Sequence, residues 1–141
     1  MPQASLVAQI NFHRGFAYHR KGLYRPAIAD FEKALSLAPD MPEARNGLAW
    51  LFATATDPRA RNGQRAVALA LKACEQTKWQ DPSILDTLAA AYAETGDFPD
   101  AVQWETSALQ HCTTDRSLLD ELNAHARLFA AKKPCREIPK R

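Results

Sequence analysis

An internal repeat constrains this chain of 141 residues more than any other feature. Residues 15–35, "GFAYHRKGLYRPAIADFEKAL", align with residues 89–109, "AAAYAETGDFPDAVQWETSAL". Gly15 matches Ala89, Tyr18 matches Tyr92, Gly22 matches Gly96 and Tyr24 matches Phe98. Ala27, Ala34 and Leu35 match Ala101, Ala108 and Leu109. A third, imperfect copy lies between them, with Ala49, Phe52, Ala66, Ala73 and Cys74 at the equivalent places. Gly15 to Ala49 is 34 residues and Ala49 to Ala89 is 40. Five of the six extra residues fall in "TATDPRARNGQRA" (54–66), and the sixth falls near "KWQDP". A period of this length is the mark of stacked supersecondary units, none of which can cover its own apolar face.

Each unit reads as two helices. Apolar and small residues recur at three- and four-residue steps, as one face of a helix requires. Gly22 and Gly96 stand where the first helix of a pair stops. "APDMP" (38–42) and "QDP" (80–82) break the chain between pairs. Pro42 and Pro82 suit the first turn of the next helix, with Asp40 or Asp81 available as a cap. The pattern predicts helices at about 5–20, 24–37, 42–55, 63–77, 82–95, 98–111 and 116–131. The last, "RSLLDELNAHARLFAA", carries Leu118, Leu119, Leu122 and Phe129 among polar residues and reads as a cap on the stack.

These residues resemble the tetratricopeptide repeat family. Unit one supplies Gly15, Tyr18, Gly22, Tyr24, Ala27, Phe31, Ala34 and Pro39 in the family's register. Unit three supplies Leu85, Leu88, Ala89, Tyr92, Gly96, Phe98, Ala101 and Ala108. It departs at Glu105, where an aromatic is usual, and at Thr113, where proline is usual. The stretch from "LAWLFAT" to "AVQWE" is similar to a bacterial branch of the family. The resemblance implies an all-α, right-handed solenoid of three helix-turn-helix repeats (about 8–41, 42–80 and 82–115) with a capping helix at about 116–131. One domain would then span 1–131, followed by a flexible basic tail at 132–141.

The resemblance also implies a concave groove lined by the first helix of each pair, where partner peptides lie. By register it is lined by Gln9, Phe12, Phe16 and His19, then Glu43, Asn46, Trp50 and Ala53, then Ser83, Asp86, Ala90 and Glu94. Phe12, Phe16 and Trp50 lie off the packing positions, which leaves two readings. They form an aromatic anchor strip, or neighbouring helices cover them. As a strip flanked by Glu43, Asp86 and Glu94, they favour an apolar partner with some basic character. Family members that clamp a chaperone's C-terminal carboxylate have Lys and Asn where this chain has Phe12 and Phe16, and Lys and Arg where it has Ser83 and Thr87, so no such clamp is expected.

The rest of the sequence narrows the function. His13 and His19 are six apart and face different ways. His111 and Cys112 have no partner pair at zinc spacing. Cys74 stands where the sister units have leucine and reads as an apolar filler. The carboxylates Asp86 and Glu94 read as a solvated helix face. No catalytic constellation, metal site or cofactor is therefore expected, and the chain reads as a non-enzymatic scaffold. Net charge is only +2, so nucleic acid is not the expected partner. Arg59, Arg61 and Arg65 in the 54–66 insert offer at most a secondary basic contact. Exposed aromatics, Trp104 among them, leave self-association open as an alternative. Three cysteines without regular spacing suit a reducing compartment, hence the cytoplasm, and no membrane span is expected.

Overall fold

Prolines and glycines fix the ends of the helices in the computed structural model, which describes residues 2–137. Seven helices follow one another: α1 (Pro2–Arg20), α2 (Tyr24–Leu37), α3 (Pro42–Thr54), α4 (Gly63–Gln76), α5 (Pro82–Glu94), α6 (Phe98–His111) and α7 (Arg116–Ala130). No strand occurs among the described residues. Pro42 and Pro82 both lie in the first turn of their helices. Asp81 caps α5 by accepting from Ser83 N–H, whereas α3 starts after Met41 with no side-chain cap, so Asp40 does not play that part.

One C-terminal turn is used four times. After α1, Gly22 (φ 76°) lets Leu23 N–H donate to the Tyr18 carbonyl at 2.9 Å. After α5, Gly96 (φ 88°) lets Asp97 N–H donate to Tyr92 at 3.0 Å. The six-to-one bond satisfies a helix-end carbonyl, and its left-handed residue is easiest as glycine. The same bond closes α4 (Trp79 to Cys74, 2.9 Å) and α7 (Lys133 to Leu128, 2.9 Å). There the left-handed residues are Lys78 (φ 57°) with Trp79 (φ 60°), and Lys132 (φ 58°).

The helices pair as α1/α2, α3/α4 and α5/α6, and each pair stacks on the next, with α7 against α6 and α5. This is an all-α repeat solenoid. Its close contacts rest on small residues. Phe31 is fully buried between two glycines: an added Cβ would lie 3.1 Å from its ring at Gly15 and 3.0 Å at Gly47. Ala27, Ala66 and Ala101 are fully buried at matching places in the second helices. Cys74 is a buried filler, as its register implies, and burial pushes its thiol up to about 12.

Residues 55–62 join α3 to α4, eight residues where 21–23 and 95–97 use three each. The insert is folded onto the body. Asn62 N–H donates to the Phe52 carbonyl at 2.8 Å, and Ala55 is fully buried. Asn62 and Gly63 are not a free turn: Asn62 caps α4 by accepting from Arg65 N–H. Gly63 approaches the end of α5, where a Cβ would lie 3.2 Å from the Thr95 nitrogen.

Residues 133–137 do not fray as expected of the tail. They run back across the ends of α3 and α5, with Cys135 only 3% exposed and Glu137 N–H donating to the Thr54 carbonyl at 3.0 Å. The reason is a set of specific partners, described next. Residues 138–141 of that tail lie outside the described residues.

Candidate interaction groove

The register-derived residues lie on the first helices α1, α3 and α5, in different states of burial. Gln9, Glu43 and Ser83 are exposed. Phe12 is half-buried, 6.0 Å from Phe31 between ring centres, so it belongs to the core. Phe16 is 47% exposed, with the Arg20 guanidinium 5.8 Å over its ring. Asn46 is half-buried, and Ala53 and Ala90 are buried. Trp50 is partly covered by α7, its ring 5.7 Å from that of His125. The three aromatics therefore do not form one open strip. Phe16 alone is open: Phe12 packs on Phe31 of α2, and α7 brings His125 against Trp50.

The acidic residues are also committed. Glu94 is mostly buried and receives two arginines: Arg61 Nε at 3.2 Å from Oε1, and Arg136 Nη1 at 2.8 Å from Oε2. Arg61 also donates to the Ala55 carbonyl at 2.8 Å. Asp86 is buried and 2.8 Å from His125 Nδ1. Neither carboxylate is a solvated helix face, and the groove's attraction for a basic partner loses two of its three supports. Only Glu43 remains open.

His19, buried at the end of α1, lies 2.7 Å from Glu137 Oε2, and Tyr24 donates to Glu137 Oε1 at 3.0 Å. The segment 133–137, which forms no helix, is thus held by specific partners. Its small side chain Cys135 goes inward, Arg136 meets Glu94, and Glu137 meets His19 and Tyr24. The sequence signal for this was weak. "PCRE" alternates a small apolar residue with a cation and an anion, but nothing in its pattern names the partners.

The basic insert is corrected in the same way. Arg61 is spent on Glu94. Arg65 stacks 4.8 Å over Phe52 and reaches Glu32 at 3.4 Å. Arg59 is exposed but paired with Asp57 in its own turn, and that pairing lowers the Asp57 carboxyl. Trp104 is not an exposed contact either: it is half-buried and stacked on Trp79 at 5.2 Å.

Sequence reasoning missed one cluster. Asp86, Glu105 and His125 each offer a ligand atom within 4.8 Å of the others. Glu105 is fully buried on α6, and neither of its oxygens has a hydrogen-bond partner. Burial, with the Asp86 carboxylate adding to it, pushes Glu105 up to about 10. At His125 burial works against the charged ring, but bonding to Asp86 and the neighbouring Cys135 outweighs it and raises the group to about 11. The departure of Glu105 from the repeat pattern was the available signal.

Residues 8–41 match the tetratricopeptide repeat. That span takes in most of α1, the Gly22 turn, α2 and the approach to α3. No curated protein matches the chain. No helix among the described residues is long and apolar enough to cross a membrane.

Proposed function

We propose that this chain, which belongs to the tetratricopeptide repeat family, is a non-catalytic protein-interaction module whose concave face takes an extended segment of a partner protein. The single observation behind this reading is the chain's own segment 133–137. It lies across the ends of α3 and α5, which we read as the edge of that face, with a main-chain bond to Thr54, an inward Cys135 and two charged clamps, Glu94 and the His19/Tyr24 pair. Main-chain bonds give an extended peptide affinity, and pockets for individual side chains give it selectivity. A partner that competes for this face presents the same order: a small apolar residue, then a cation, then an anion. A chain of 1–131 should bind the synthetic peptide KKPCREIPKR saturably, while the full chain, already occupied, should not. Equal binding to both, or none to a folded 1–131, removes the proposal.

Self-association is the second reading, and one observation favours it. On α1, the first helix of the stack, Leu6 is 60% and Ile10 56% exposed, one turn apart. Terminal repeats usually keep a polar outer face. Light scattering across a concentration series, with Leu6→Glu/Ile10→Glu as control, tests it. A monomer at all concentrations excludes it.

A further inference from the structure

We propose that Asp86, Glu105 and His125 form a binding site for one divalent transition-metal ion of the zinc class. The internal repeat isolates the feature. Phe12 and Phe31 of unit one occupy the same register places as Asp86 and Glu105 of unit three. In unit one the two are aromatic rings 6.0 Å apart in the core. In unit three both places hold carboxylates, and α7 adds an imidazole to them. Two apolar partners have become two buried carboxyl groups in one contact, and a buried carboxyl without a full set of hydrogen bonds is costly.

Glu105 is the second observation. It is fully buried, both oxygens lack a hydrogen-bond partner, and it faces the other two ligand atoms. An ion between them satisfies it directly. The separations suit a small ion. Ligands at about 2.1 Å from one tetrahedral centre stand roughly 3.4 Å apart. The cluster brackets that value, with 2.8 Å between His125 and Asp86 and no pair beyond 4.8 Å. The donor chemistry selects the class. One imidazole and two carboxylates suit zinc or cobalt. Calcium takes six to eight oxygens, and magnesium favours oxygen ligands and keeps several waters. Two carboxylates, once both are ionised, also neutralise a divalent charge. The ion would join α5, α6 and α7.

The full chain is stripped with a chelator, exposed to zinc, desalted and analysed for bound metal. One equivalent should be retained, and saturating zinc should raise the thermal midpoint by roughly 8 °C at about one hundred times its Kd. Glu105→Gln, close in shape and checked by circular dichroism, should lose both effects, and Asp86→Asn should do the same. No retained zinc together with an unmoved midpoint overturns the proposal. So does a Glu105→Gln chain that holds zinc as tightly as the parent, because the ion then sits elsewhere.

Discussion

Glu94→Ala is the substitution that should loosen most at once, because one carboxylate ties the α3–α4 insert and the C-terminal segment to the end of α5. Three bonds are lost: Arg61 Nε at 3.2 Å, Arg136 Nη2 at 3.3 Å and Arg136 Nη1 at 2.8 Å. Hydrogen bonds to charged groups are worth about 1.5–3 kcal/mol each. The sum must be discounted on two grounds. The arginine side chains are 19% and 31% exposed, so water replaces part of what they lose. Arg61 also keeps the Ala55 carbonyl, and Arg136 keeps those of Ala53 and Cys135. About 2–3 kcal/mol remains. For a chain of this size about 1 kcal/mol moves the thermal midpoint by roughly 3–4 °C, so the variant should melt roughly 6–12 °C lower. Scanning calorimetry at fixed pH and salt measures this directly. A midpoint within about 2 °C of the parent would mean that the arginines are not held by Glu94 and that the insert and tail are not anchored as described.

Further expectations test other parts of the account. Ala101→Leu should overpack the fully buried α5–α6 contact and cost about 1–3 kcal/mol in urea unfolding; an unchanged midpoint would show that the repeat register is wrong. Lys78→Gly should be neutral to stabilising, by up to about 1 kcal/mol, because glycine relieves the left-handed φ of 57°; a loss above about 1 kcal/mol would contradict that turn. In chelator-treated protein, stability should fall as pH rises. The folded chain keeps the Glu105 proton from the ordinary 4.5 up to about 10 and the His125 proton from 6.5 up to about 11. The unfolded chain releases both earlier, so this stability is complete below the unfolded values and is lost towards the folded ones. The midpoint should therefore decline from pH 6 to 10, with a shallower slope in Glu105→Gln; a rise with pH over that range refutes the burial argument.

The helices and their pairing were legible because their signals are local. Pro42, Pro82, Gly22 and Gly96 mark helix ends through their own backbone limits, and the small residues recur at a fixed spacing. The site was less legible, because its state depends on what folds over it. Trp50 reads as groove or core with equal justice until α7 places His125 against it. Asp86 and Glu94 look like surface acids by spacing, but partners 39 and 42 residues further along the chain bury or clamp them. Arg61 shows the same limit, since its partner Glu94 is 33 residues away. The tail has no periodicity to read, and its order comes from individual long-range bonds. Glu105 was visible as a break in the repeat, but its meaning required its neighbours from α5 and α7.

The most direct test of the proposed peptide site is the alkylation rate of Cys135 in the native full chain, resolved from Cys74 and Cys112 by mass spectrometry. The three thiols are all buried, and residues 135–137 are held across the ends of α3 and α5. Cys135 should be protected in the parent and should react much faster in Glu94→Ala, with Cys74 still protected in both. If Cys135 in the parent reacts as fast as in denatured protein, the segment does not occupy the groove, and the reading of that face as a site for extended peptides loses its support.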